Sequence, residues 1–304
     1  MDWLIDAFEP TFMQRALIGG LVAVVATSLV GTWVVLRGLA FLGDALAHGV
    51  IPGIALAVLW GFSPIIGAFV AALVMSGFVS LVSNRTDVRE DTAIGLLFVG
   101  MLSLGIVIVS RARSFSTEVT ALLFGDVLGV TRSDINAQLI ATIVVVITTV
   151  VLYRPFMALT FNRDKAHTLG MYPSLAHAAL LSLLALSIVA SFQAIGTLLV
   201  FGLLVGPPAT ATLLVRRVPA IMLVSILLGS LAVVGGLLIS FHYGTAGGAT
   251  IAGLSVAEFF VALAGREIRD LVRHTNRAAP KLPRRTVRRP TPRAQSRRPP
   301  GSHA

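Results

Sequence analysis

Long apolar runs alternate with short polar joints along the chain as far as about residue 265. The runs fall at about 12–36, 39–60, 64–82, 93–110, 134–153, 174–192, 194–215, 219–241 and 246–264. Each is near the roughly 20 residues that a helix needs to cross the hydrocarbon core of a bilayer. In lipid the backbone must satisfy its own hydrogen bonds, so apolar runs of this length read as membrane helices. The predicted class is all-α and polytopic, with eight or nine transmembrane helices. The choice between eight and nine rests on one place. The runs 174–192 and 194–215 are separated only by Gln193, so one of them is either a full span or a re-entrant half-span. Pro207-Pro208 is expected to interrupt the second of the pair, because proline removes a backbone donor and clashes one turn back.

Composition strengthens this picture. Of 304 residues, 56% are hydrophobic and only 12% charged, against about 25% charged in a soluble domain. The mean hydropathy is +0.88. Cysteine is absent, which excludes disulfides, thiolate metal ligands and a cysteine nucleophile. The net charge of +10 resembles a nucleic-acid signal until it is located. Residues 266–304 hold twelve of the 24 Lys and Arg residues and only two acids, so all the excess lies in the tail. Rich in Pro and Arg, this tail is expected to be disordered, cytoplasmic and held near anionic lipid headgroups, with no nucleic-acid partner. Three regions follow: an interfacial segment at 1–11, a membrane domain at 12–265 and the basic tail at 266–304. Met1 to Glu9 carries three acids and no base, unlike the positive start of a cleaved signal peptide.

Loop charges set an orientation. With the tail inside, the inner joints carry Arg37, Arg85, Arg89, Arg154, Arg163, Lys165, Arg216 and Arg217. The outer side has Arg15, Arg111, Arg113 and Arg132, a bias of eight to four in the direction of the positive-inside rule.

Within this apolar body one stretch holds two ionisable side chains four residues apart, Asp44 and His48. On a helix they share one face, a turn apart. Ionisable groups at membrane depth face a cavity or a partner rather than lipid, which points to ion handling. A solvated interfacial pair is the plainer alternative. In a helix over 39–60, Asp44 lies about 7–8 Å and His48 about 13 Å from the inner end. Pro52 follows His48 by four residues, so a helix running through it leaves the His48 carbonyl without its usual donor. Ala45, Gly49 and Gly53 make a small-residue stripe suited to close helix packing. Carboxylate and imidazole without sulfur suit Zn²⁺ or Mn²⁺ and disfavour Cu⁺. A transport site is also expected to be an incomplete ligand set, because a closed one would trap the ion.

Other ionisable groups rank lower. His242, near the outer end of the eighth run and beside Tyr243 and a Gly-rich turn, is a candidate gate. His177 opens the sixth run, where a structural role fits better, and Glu258 stands alone in the last run. The polar segment 154–173 reads as a solvated connector or as a docking element for a soluble partner, since Phe161, Ala166 and Leu169 recur at helical spacing. Enzyme signatures are missing: no Gly-x-x-x-x-Gly-Lys-Ser/Thr, no His-Glu-x-x-His and no Gly-x-Ser-x-Gly occurs. The chain is expected to be no enzyme, with no permanently bound cofactor.

Several short matches occur in order over about residues 10–250. They are Phe12-Met13-Gln14-Arg15-Ala16-Leu17, Arg37 with Gly43-Asp44-Ala45-Leu46-Ala47-His48, and Pro52-Gly53-Ile54-Ala55-Leu56. Then come Glu90-Asp91-Thr92-Ala93-Ile94-Gly95, Leu123-Phe124-Gly125-Asp126, the stretch from Phe161 to Ala166 with Gly170, and Ile195-Gly196-Thr197-Leu198-Leu199 leading into Pro208-Ala209-Thr210-Ala211. Taken together they resemble the permease subunits of bacterial ABC importers for zinc and manganese, the ABC-3 family. The resemblance implies a multi-pass protein of the bacterial cytoplasmic (inner) membrane that imports Zn²⁺ or Mn²⁺, zinc slightly favoured. It implies a permease homodimer, a separate cytoplasmic ABC ATPase and an extracellular or periplasmic metal-binding protein. It further implies that Asp44 and His48 line an alternating-access path, and that Phe161, Asp164, Ala166 and Gly170 belong to the loop that couples to the ATPase. Where the family often has Pro-Ser-Gly before its last span, this chain reads Thr245-Ala246-Gly247-Gly248, so its outer gate is expected to differ. The competing class is a stand-alone secondary metal transporter or channel, which needs no ATPase.

Overall fold

Apolar side chains all round, rather than along one stripe, make these runs helices that can pack on each other on one side and face lipid on the other, with small residues where backbones come close. The computed structural model describes residues 6–85, 89–111, 130–161, 172–195 and 197–277. After a 3₁₀ turn at Asp6–Phe8 come α1 (Thr11–Leu36), α2 (Ala40–Gly49), α3 (Ile51–Leu59), α4 (Pro64–Arg85) and α5 (Glu90–Arg111). They are followed by α6 (Arg132–Val151), α7 (Tyr153–Phe161), α8 (Pro173–Ile195), α9 (Thr197–Leu214), α10 (Val218–Tyr243) and α11 (Gly247–Arg277). No strand occurs among the described residues. Eight stretches are long and apolar enough to cross a membrane, α2 and α3 together counting as one; Leu199–Leu214 is the shorter ninth. Chain contacts separate a body, Met1–Arg266, from a second unit, Glu267–Ala304, of which only the end of α11 is described.

The body is built around α1. Two thirds of its apolar window (67%) is buried, against 17% for α5, and α6, α8, α9 and α10 all pack on it. Glycine makes that possible where backbones meet. A Cβ on Gly20 would stand 2.7 Å from Val233 of α10, and one on Gly31 would collide with the Leu204 carbonyl of α9. Buried hydroxyls close back onto their own helices, as Thr27 does to the Ala23 carbonyl (2.8 Å) and Thr32 to that of Ser28 (2.7 Å), which spares them a partner that lipid lacks.

Two expectations for the later spans are corrected. α8 runs through Gln193 to Ile195, so the split lies beyond that residue. α9 continues through Pro207 and Pro208 without interruption. Proline at 208 leaves the Leu204 carbonyl without its helical donor. Gly31 lies against that oxygen, and the hydrogen standing where a Cβ would be points at it. Neighbouring backbone covers the freed carbonyl, so the helix has no reason to break.

The α1–α2 corner positions the site. Gly38 adopts φ +70°, and the amides of Gly38 and Leu39 donate to the carbonyls of Val35 (3.0 Å) and Val34 (2.9 Å). This paired closure satisfies the last carbonyls of α1 and turns the chain within three residues into α2.

Candidate functional site

α2 carries Asp44 and His48 on one face while Leu42, Ala45, Leu46, Ala47 and Gly49 are buried on the others. His48 Nε2 lies 3.6 Å from Asp44 Oδ1, and each side chain is about one third exposed (32% and 33%). That separation is too long for a hydrogen bond. It is close to the roughly 3–3.4 Å between neighbouring donors of a cation held at about 2.0–2.2 Å. Phe98 of α5 meets the His48 ring edge to face, with centroids 6.0 Å apart, and meets Phe41 of α2 at 5.9 Å. The aromatic wall fixes one side of the imidazole and leaves the other open. No cluster of three or more His, Asp or Glu side chains able to hold a metal ion occurs among the described residues. One chain therefore presents a pair, an incomplete set.

Behind the pair the helix is irregular at Val50, where α2 gives way to α3. Val50 keeps right-handed dihedrals (φ −78°, ψ −16°), and its carbonyl accepts from Ile54 at 3.0 Å. The interruption thus lies between His48 and Pro52. The small-residue stripe does its expected work. Gly53 and Gly67 of α4 face each other so closely that a Cβ on either would collide with the other's carbonyl, and a Cβ on Gly49 would meet the side-chain sulfur of Met75. Beyond the interruption an apolar groove of about 370 Å³ is lined by residues including Pro52, Ala57 and Met101.

The remaining predicted residues lie elsewhere. His242 is at the end of α10, exposed, with Nδ1 2.9 Å from the Leu238 carbonyl and its ring 5.3 Å from that of Phe241. The structure does not join it to the pair. Phe161 ends α7 and is well exposed, while Asp164, Ala166 and Gly170 lie outside the described residues. Both carboxylate oxygens of Glu258 are shielded from solvent without a hydrogen-bond partner.

One polar cluster escapes a reading of spacing. Arg37 Nη1 donates to His177 Nδ1 at 2.9 Å, His177 Nε2 lies 3.3 Å from Glu90 Oε1, and Arg37 Nη2 lies 3.9 Å from Glu90 Oε2. The three side chains come from the α1–α2 corner, the second turn of α8 and the first residue of α5. Arg37 and Glu90 both stand in the ordered matches, each at the edge of an apolar run, which was the available signal.

The model of the ABC 3 transport family matches residues 9–266. The manganese transport system membrane protein MntC of Halalkalibacterium halodurans is 34% identical over 254 residues, 84% of this chain and 86% of that one. The chelated iron transport system membrane protein YfeD of Yersinia pestis is 33% identical over 266 residues, 88% and 89% of the two chains. Among solved structures, PsaBC from Streptococcus pneumoniae in complex with Fab superposes with a TM-score of 0.76 at 29% identity, covering 86% of this chain and 94% of that one.

Proposed function

The chain belongs to the ABC 3 transport family, and from that premise we propose that it is the membrane-spanning permease subunit of an ATP-driven importer of a divalent metal ion. The observation that carries the reading is the Asp44/His48 pair, held 3.6 Å apart beside the helix interruption at Val50 and open on one side. Paired oxygen and nitrogen donors bind first-row divalent ions, and an incomplete set lets the ion leave. In a homodimer, a second copy of the chain meeting this one at the exposed face of α2 would put the path between the protomers. The relatives are named for manganese and iron. That favours Mn²⁺ as cargo over the zinc preference read from sequence, with Fe²⁺ and Zn²⁺ as competitors.

In this reading the cation is handed to the pair from an extracellular or periplasmic metal-binding protein. Asp44 supplies charge and His48 a neutral nitrogen, so the site neutralises part of the ion's charge at membrane depth. Hydrolysis takes place on a separate ATPase chain, and its closure reaches the permease through the 154–173 loop. The test is reconstitution of the chain with its ATPase and metal-binding protein in liposomes. Mn²⁺ uptake should require ATP and stop when the ATPase is omitted. Uptake by the chain alone under an ion gradient would replace this reading with a secondary transporter.

The loop role has its own test. The chain lacks cysteine, so a single cysteine placed at Asp164 or Ala166 gives one reactive position. A short bifunctional reagent should join it to the ATPase subunit. Failure to capture that subunit from any position in 154–173 would remove the loop from the coupling path.

A further inference from the structure

Arg37, Glu90 and His177 are the part of the site region that ion handling leaves unexplained. Their side chains are largely withdrawn from solvent, with 10%, 24% and 4% exposed. Arginine has no acceptor, so its 2.9 Å contact makes His177 Nδ1 the acceptor and leaves the ring proton on Nε2, a nitrogen that lies 3.3 Å from Glu90 Oε1. The three side chains form a ring of contacts: Arg37 donates a hydrogen bond to His177, and the Glu90 carboxylate lies within ion-pair distance of both. The guanidinium stands where a second cation would have to sit, so the cluster is no further metal site. Its chemistry is that of a fastener. Removing one member weakens the hold on side chains largely withdrawn from solvent, which is costlier than breaking an exposed pair.

What the ring fastens is specific. Arg37 closes α1 and is followed after Gly38 and Leu39 by α2, the helix of Asp44 and His48. Glu90 opens α5, and eight residues on, about 12 Å along that helix, Phe98 lies against the His48 ring. His177 lies four residues inside α8, the helix that leaves the 154–173 loop. The other arm of that loop is anchored at the same corner. Trp33, one turn before Arg37, holds Tyr153 and the fully buried Phe156 of α7 edge to face, with centroids 5.6 and 5.7 Å away. Both arms of the loop therefore end on the stretch from Trp33 to Arg37, and that stretch is bonded to the two helices that flank the metal pair.

We propose that the Arg37–Glu90–His177 ring is a latch that makes α7, the start of α8, the α1–α2 corner and the base of α5 move as one body, so that displacement of α7 and α8 is delivered to Asp44, His48 and Phe98. Its members are positioning residues that touch no cargo. The inference rests on the importer reading above, and the experiment separates the two. The complete transporter, with ATPase and metal-binding protein, is reconstituted in liposomes, and Mn²⁺ imported and ATP hydrolysed are measured on the same sample.

Glu90→Gln keeps the shape and removes the charge. It should lower the number of ions imported per ATP by about fivefold or more, the lower end of ordinary coupling between sites. Hydrolysis and dimer assembly should stay near wild type. His177→Gln, which keeps a polar side chain, should give a smaller loss in the same ratio and serves alone if Glu90→Gln fails to assemble. An unchanged ratio in the assembled variants, or uptake and hydrolysis falling in proportion, overturns the latch. Absence of ATP-driven Mn²⁺ uptake by the wild-type complex would instead overturn the functional reading.

Discussion

Asp44→Ala and His48→Ala should each abolish metal uptake by the reconstituted transporter while leaving its assembly intact. Loss of a supporting group around a metal already costs about 10–100-fold in affinity, so removal of a direct donor should cost at least that much. Both side chains are one third exposed, and the one ring contact at this face, His48 with Phe98, lies at its edge, so truncation opens no enclosed core cavity. Assembly and thermal stability should therefore be close to wild type, which distinguishes a lost donor from a lost fold. Asp44→Asn sharpens the test by keeping volume and hydrogen-bonding capacity while removing the charge. It should lose uptake nearly as fully as alanine, because the carboxylate's work is to offset the ion's charge where water is scarce. Wild-type uptake by both alanine variants would remove the pair from the path. Radioactive Mn²⁺ accumulation at low metal concentration, with dimer content measured alongside, decides the matter.

The second large effect is on the fold. Gly53→Val should destabilise the protein by about 1–3 kcal/mol or more. A Cβ at that position would overlap the Gly67 carbonyl and stand 2.5 Å from Ala71 Cβ, and the obstruction is mostly backbone, which cannot rotate away. The α3–α4 seam must then open, and with it the interrupted span behind His48. Gly100 of α5 supplies the control, since nothing lies within 4 Å of a Cβ built there. Gly100→Ala should be neutral or slightly stabilising, as alanine is the better helix former by up to about 1 kcal/mol. A melting curve of the purified protein in detergent separates the two variants. Equal midpoints would show that the Gly53–Gly67 approach is not what holds these helices together.

Spans were legible because lipid leaves the backbone few options. An apolar run of 20 residues becomes a helix whatever its neighbours do. Asp44 and His48 were legible for a related reason: helix geometry alone makes positions four apart neighbours, so their spacing already predicts the contact now seen at 3.6 Å. The errors came where a local rule had a non-local answer. Proline chemistry predicts a break at Pro207-Pro208, but Gly31, far away in the chain, covers the carbonyl that proline frees. Gln193 looked like a joint because it is polar, whereas α8 passes straight through it. The Arg37–Glu90–His177 ring has no periodicity to betray it, since Arg37 and His177 are 140 positions apart.

By itself, then, the amino-acid sequence determined the class of the protein, the places of its spans and the pair of donors one turn apart. Each of these follows from short-range rules: the length of an apolar run, the pitch of a helix, the missing amide of proline. Only the tertiary structure decided which polar groups meet across spans, which face of α2 stays open and why α9 survives two prolines. Those outcomes depend on which helix lies beside which, and in a membrane that choice is made by close fit of small residues rather than by hydrophobicity common to every span.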